Sequence, residues 1–249
     1  MQIDDVRLRA RIGLVIPSVN TMTEPQFNRF APEGIGVHVA RVRISDSDGR
    51  MLPSSTLMPD VVRAAELLAD ARCDLIVFHC TASSMEAGLD GERRITEAIQ
   101  TATGVTASTT ASAIVAAFQA LHIRRVVLVS PYPASTNEHE IHFLSQVGVQ
   151  VLRDRPLDLP PAQWTIKPGG FWVDAGAAED DAEADAIFLS CTNIRAIDAV
   201  DPLEARTGKP VITSNQATLW HCLRTLGLPD EVGGLGRLFG VGLPVAAGA

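Results

Sequence analysis

Two thiols occupy matched places in this chain. Asp74-Leu75-Ile76-Val77-Phe78-His79-Cys80-Thr81 is echoed by Asp185-Ala186-Ile187-Phe188-Leu189-Ser190-Cys191-Thr192. Each segment starts on Asp, runs apolar and ends in Cys-Thr, which reads as a buried strand delivering a thiol to the loop at its carboxyl end. A thiolate is both a good nucleophile and a good leaving group, and a thiol donates a proton. Two such groups suit covalent addition to an activated double bond, or proton transfer at a single carbon. Each cysteine is followed by a small polar segment, Thr81-Ala82-Ser83-Ser84 and Thr192-Asn193, and a helix is expected to start shortly afterwards. A helix N-terminus favours the thiolate, and its free N–H groups, with Thr and Ser hydroxyls, can cradle a carboxylate. Buried cysteines also serve as core filler. The matched placement favours chemistry for Cys80 and Cys191, whereas Cys73, at a helix end, and Cys222, inside an apolar helix, read as filler. None of the four lies in a Cys-x-x-Cys pair or near a His at zinc spacing, so no metal is expected.

Further polar groups fall at the same strand ends. Pro17-Ser18-Val19-Asn20-Thr21 follows the first apolar run, and Asn20 can give an amide N–H to a carboxylate or cap a helix. Pro131-Tyr132-Pro133 holds the only tyrosine at the corresponding place in the second half. Its hydroxyl can bind a carboxylate, or its ring can pack. Ser214-Asn215-Gln216-Ala217 reads equally as a site loop or a helix cap. The histidines offer less: His79 alternates with Cys80 along its strand and should face away, His139 and His142 sit on a solvated helix face, and His221, near Trp220 in the last helix, either packs or reaches the site. A Cys–His hydrolase arrangement has little support.

The elements that position these groups are written twice. Arg11-Ile12-Gly13-Leu14-Val15-Ile16-Pro17 is echoed by Arg125-Val126-Val127-Leu128-Val129-Ser130-Pro131, and Thr103-Gly104-Val105 by Thr207-Gly208-Lys209-Pro210-Val211. Proline, Cys-Thr and Thr-Gly recur in one order at a nearly constant offset, which points to duplication. Helices are expected over 57–71 (capped from Ser54, Ser55 or Thr56), 92–102, 111–121 and 216–226. Another should follow a capping box of Ser135 and Glu138. Alternating strands and helices predict an α/β protein of two pseudo-symmetric lobes. Each lobe is a parallel sheet with flanking helices, and the active site lies in the cleft between them. Residues 1–115 with 216–249 would form the lobe carrying Cys80, and residues 116–215 the lobe carrying Cys191. Segment 153–176, with Pro156, Pro160, Pro161, Pro168, Gly169 and Gly170, reads as an irregular excursion, either a lid or an insertion.

Composition narrows the partners. A net charge of −8 with no basic run disfavours nucleic acid. The apolar run after Arg7, Arg9 and Arg11 is too short for export or for a membrane span. The reading is cytoplasmic, with free thiols.

Taken together, these motifs resemble the aspartate/glutamate racemase superfamily, in the branch of maleate cis–trans isomerase and arylmalonate decarboxylase. The carriers are 15–21, 80–83, 129–132, 190–193 and 209–217. The resemblance implies a cofactor-free site between two lobes, a small dicarboxylate or related carboxylic acid as substrate, and a homodimer. It implies Cys80 as nucleophile and Cys191 as acid/base. Pro17, Ser18, Asn20, Thr81, Ala82, Tyr132, Thr192 and Asn193 would hold the substrate. Arylmalonate decarboxylases keep only the second-lobe cysteine, so Cys80 favours isomerisation of maleate to fumarate, although Gly236-Arg237-Leu238-Phe239 resembles the decarboxylase tail. Amino-acid racemases often carry Asn after the catalytic cysteine, where Thr81 and Thr192 stand here. The isomerases have a further substrate-binding asparagine near 153–176 that finds no counterpart. Racemisation, decarboxylation and non-catalytic ligand binding are the alternatives.

Overall fold

The structure is a computed structural model that describes residues 8–47 and 51–244. Its first half runs β1 (Ala10–Pro17), α1 (Thr23–Phe30), β2 (Ile35–Val42), α2 (Ser54–Asp70), β3 (Leu75–Phe78), α3 (Thr81–Met85), α4 (Gly88–Thr103), β4 (Thr106–Thr109) and α5 (Thr110–Ala120). The second runs β5 (Arg125–Ser130), α6 (Ala134–Gln146), β6 (Gln150–Pro156), α7 (Pro161–Trp164), α8 (Gly169–Ala178), β7 (Ala186–Leu189), α9 (Val200–Thr207), β8 (Val211–Thr213) and α10 (Ser214–Thr225). Two four-stranded sheets result, ordered β2-β1-β3-β4 and β6-β5-β7-β8, and every pairing is parallel. The identical order makes the repeat visible in space.

The repeated aspartate has a structural purpose. Asp74 Oδ2 accepts the Arg11 N–H, and Asp185 Oδ2 accepts those of Arg124 and Arg125. Each aspartate fastens the start of a central strand to its neighbour and so sets where the following cysteine emerges. The central strands are apolar on both faces because helices cover both. α5 and α10 pack against each other between the sheets, so one core runs from Ile12 and Leu14 through Phe118 to Phe188, Ile212 and Trp220. Phe118 and Phe188 meet edge to face with ring centroids 5.6 Å apart. Burying a side chain of that size contributes about 1.5–3 kcal/mol, which ties the two sheets firmly together.

Several local expectations are corrected. α2 starts at Ser54 rather than Leu57, and Ser54 is held by Glu86 through its N–H and its hydroxyl. The capping box of Ser135 and Glu138 does not form: α6 starts at Ala134 behind Pro133, and both residues are exposed. Segment 153–176 is ordered structure. Its first residues extend β6, Pro161 opens α7, and Pro168 precedes α8. Proline suits a helix start, where its missing N–H has no partner to lose. Trp172 is fully buried, and Gly176 lies so near Leu203 that a Cβ would come within 2.5 Å of it. Pro160, Pro161 and Pro168 are therefore helix starts, and Gly169 a close approach to Asp198.

Candidate active site

Cys80 and Cys191 stand at the carboxyl ends of β3 and β7, in the same place in each sheet. Cys80, in extended conformation, is the residue before α3. Its thiol reaches the Ser83 hydroxyl at 3.3 Å, and the Ser83 hydroxyl touches Met51 Sδ at 3.9 Å. Cys191 differs. No α-helix follows it directly: a turn leads to a short 3-10 segment, Ala196–Ala199, before α9. The helix-terminus argument therefore holds for Cys80 alone, and α3 is only five residues long. Cys191 instead has φ of 143°, a region that glycine adopts readily and that costs other residues about 1–3 kcal/mol. Its own sulfur accepts the Asn193 N–H at 3.3 Å.

The two cysteine loops share one anchor. The Ser214 hydroxyl accepts the Cys191 N–H at 3.1 Å and the Thr81 hydroxyl at 2.8 Å. This is possible because Thr213, not Ser214, caps α10: Thr213 and Gln216 form a reciprocal capping box. Ser214 and Asn215 are thereby free to face the site. Ala82 of the first lobe packs in one cluster with Tyr132 and Cys191 of the second.

A polar lattice braces the Cys191 loop from the other side. His79 points away from Cys80. Its Nδ1 meets the Thr110 hydroxyl and its Nε2 meets Asn215 Oδ1, both at 2.9 Å. Asn215 Nδ2 donates to the Thr192 carbonyl and to Gln26, and Gln26 Nε2 donates to the Ile194 carbonyl. Because Asn215 presents its oxygen, Nε2 of His79 carries the proton, an assignment inferred from the partners. Burial lowers the His79 pKa to about 4, so the ring is neutral.

Asn20 joins the lobes. Its Nδ2 donates to Thr192 Oγ1 at 3.1 Å, while its Oδ1 caps α1 through the N–H groups of Met22 and Thr23. Asn193 Oδ1 accepts the Thr21 N–H. Pro17, Thr81, Thr192 and Tyr132 are buried around these contacts. Ser18 is exposed, and its backbone is occupied by Val42 and Arg41.

Burial dominates the electrostatics. It pushes the Cys191 thiol up to about 12, opposed by the Tyr132 hydroxyl and the Asn193 N–H. It also raises Cys80, opposed by the hydroxyl and N–H of Ser83. The Tyr132 phenol is raised well above its usual value by burial, then by the charges of Cys191, Glu140 and Cys80. The expectation that the surroundings ease ionisation of both thiols is thus overturned at rest, because desolvation outweighs the local donors. Both cysteines are about 5 % exposed or less, so the site is closed. An open groove of about 710 Å³ lies instead along β2 between α1 and α2, lined by Val37, Val39, Arg41 and Leu67.

The sequence placed His79 facing away from Cys80, as found, but passed over Gln26 and Glu140. Glu140 lies on α6 with both carboxylate oxygens buried and unpartnered. Its spacing from Asn137, Phe143 and Leu144 on the buried face of that helix was the available signal.

Paired parallel four-stranded sheets with flanking helices, each carrying a cysteine just after its matched strand, define a class of two-lobed α/β enzymes. A family model described as arylmalonate decarboxylase matches residues 12–239, and the chain belongs to that family. A maleate isomerase of Pseudomonas putida is 29 % identical over 242 residues, covering 92 % of this chain and 96 % of the relative. The crystal structure of a cysteine-to-alanine variant of the maleate isomerase Iso from Pseudomonas putida, with maleate, superposes with a TM-score of 0.86 at 25 % identity, covering 95 % of this chain and 99 % of that one. A cysteine-to-serine variant of the Nocardia farcinica maleate cis–trans isomerase, carrying a covalently bound succinylcysteine intermediate, superposes with a TM-score of 0.83 at 26 % identity over 92 % of this chain and 98 % of that one.

Proposed function

We propose that this enzyme converts maleate, or a close unsaturated dicarboxylate, to its trans isomer without a cofactor. The observation that carries the reading is one serine, Ser214, tying the loop of Cys191 to Thr81, the residue after Cys80, with the Tyr132 hydroxyl beside the second thiol. Cys80, as thiolate, adds to one alkene carbon and forms a C–S bond. The electron pair moves to the neighbouring carbon and its carboxylate as an enediolate, and Cys191 gives it a proton. The former double bond is now single and rotates. Cys191 takes the proton back, the C–S bond breaks, and the trans product leaves with Cys80 restored as thiolate. The division of labour follows the surroundings. Cys80 has two Ser83 donors and a helix start to hold its negative charge, whereas Cys191, pushed up to about 12, rests as a thiol able to donate.

The hydroxyls of Thr81, Thr192 and Tyr132 and the amides of Asn20 and Asn193 would grip the two carboxylates, with Pro17, Ser18 and Ala82 shaping the pocket. The succinylcysteine seen in the Nocardia enzyme is the adduct this route requires. The reading divides the chain into a lobe of residues 1–115 with 216–249 and a lobe of residues 116–215, and takes the enzyme as a cytoplasmic homodimer. No helix among the described residues is long and apolar enough to cross a membrane. Light scattering on the purified protein tests the dimer.

Proton NMR of maleate with the enzyme, beside Cys80→Ala, tests the reaction. Fumarate from the intact enzyme alone supports it, and fumarate at equal rate from the variant sinks it. A malonate-type decarboxylation using Cys191 is the second reading, favoured by the family description. It predicts that Cys80→Ala keeps releasing carbon dioxide from an arylmalonate.

A further inference from the structure

Glu140 is the one buried acid near the site that the proposed reaction leaves idle. It is fully buried on α6, on the same face as Asn137, Phe143 and Leu144. The Ser190 hydroxyl, on the residue before Cys191, lies close enough to favour the charged form, but it and both carboxylate oxygens lack a hydrogen bond of ordinary geometry. Among the described residues no Lys or Arg is paired with it.

The groups around it are acids and thiols. Asp154 faces it from β6, held by Asn137 Nδ2. Tyr132 lies on the link before α6, Cys80 at the start of α3, and Cys191 after β7, and all three feel its charge. From α4, the Leu89 N–H donates to Gln146 of α6, while Asp90 and Arg93 pair with each other at the surface. On α6 itself Glu138, His139 and His142 are exposed.

An unpaired carboxylate in such a place is costly, so the group stays neutral. Its charge and a thiolate repel one another reciprocally, and the cluster titrates as a unit. We propose that Glu140 is a positioning residue acting through its charge: protonated behind the two cysteines, it leaves room for one negative charge between the lobes, and on ionising it withdraws that thiolate. Burial, reinforced by Asp154 and opposed by Ser190, raises its pKa to about 8, which places the switch just above neutrality. The proposal deepens the isomerase reading and rests on it for its meaning, but its test needs no substrate.

The test follows alkylation of Cys80 by iodoacetamide, quantified by mass spectrometry from about pH 6 to about pH 10, in wild type and Glu140→Gln. Below about pH 7 the carboxyl is neutral in the wild type, so the two rates coincide. Above about pH 8 the variant reacts about three- to tenfold faster, because it never acquires the repelling charge. Curves that coincide throughout, or a variant altered equally at every pH, overturn the proposal, since a purely structural role predicts the latter. Carbon-13 NMR of glutamate-labelled wild type gives a second readout that needs no variant. One carboxyl titrating near 8 is expected, and its absence refutes the idea even if Glu140→Gln fails to fold. Failure to make fumarate from maleate, with these titrations as expected, removes the isomerase reading and leaves the Glu140 charge effect standing.

Discussion

Replacing Ser214 by alanine removes a group that touches both cysteine loops. Its hydroxyl accepts the Cys191 N–H at 3.1 Å and the Thr81 hydroxyl at 2.8 Å. Cys191 and Thr81 are 4 % and 0 % exposed, so solvent does not readily replace the lost acceptor. A buried donor left unsatisfied costs about 1–3 kcal/mol, and two donors bring the loss to about 2–6 kcal/mol. For a chain of this length each kcal/mol moves the melting temperature by roughly 2–4 °C, so a fall of about 4–24 °C is expected. Activity should suffer more than stability. The Cys191 backbone is held at φ of 143°, and relaxing it recovers some of the roughly 1–3 kcal/mol of strain while turning the thiol off its line. At a temperature where the variant is fully folded, kcat should fall at least about tenfold with a smaller change in KM. Urea denaturation followed by circular dichroism, beside the NMR assay for fumarate, measures both. A stability change below about 0.5 kcal/mol together with unchanged turnover would refute the shared-anchor argument.

Other perturbations follow from the same geometry. Tyr132→Phe removes a donor that lowers the Cys191 thiol. Turnover should drop about tenfold or more, and equal rates with and without the hydroxyl would dismiss it as a packing residue. His79 and His221 are neutral with pKa values lowered to about 4. The unfolded chain binds protons that the folded one refuses, so their stability contribution is present above pH 6.5 and lost as pH falls toward 4. Each accounts for up to about 3 kcal/mol, and His79→Gln should flatten the acid limb of a denaturation-versus-pH curve even though it also weakens the Asn215 contact. Glu140 has the opposite sign. Its raised pKa makes its contribution complete below the unfolded carboxyl value and lost as pH rises through about 8. Glu140→Gln should therefore be more stable than wild type at alkaline pH, and a less stable variant there would contradict an unpaired buried carboxyl.

Period and order alone carried most of the architecture. The doubled Asp–apolar–Cys-Thr segments predicted two parallel sheets with a thiol at each strand end, because burial on both faces demands continuous apolar strands and a crossover helix between them. Other features were decided only by packing across the lobes. Cys191 looked like a second helix-start thiol, yet it sits in a strained turn, its N–H held by Ser214 at the start of α10. Ser214 and Asn215 could not be told from helix caps, since both capping and cross-lobe bonding use the same side-chain atoms, and the choice fell to Thr213 and its partner Gln216. Prolines and glycines in 153–176 suggested an irregular excursion because their local meaning is ambiguous: the same residues start helices or allow close approach when a neighbour such as Leu203 is there to be met. The acidity of the thiols was equally invisible in the sequence. A helix start favours the thiolate locally, but desolvation depends on everything that closes over the site, and that comes from elements distant in the chain.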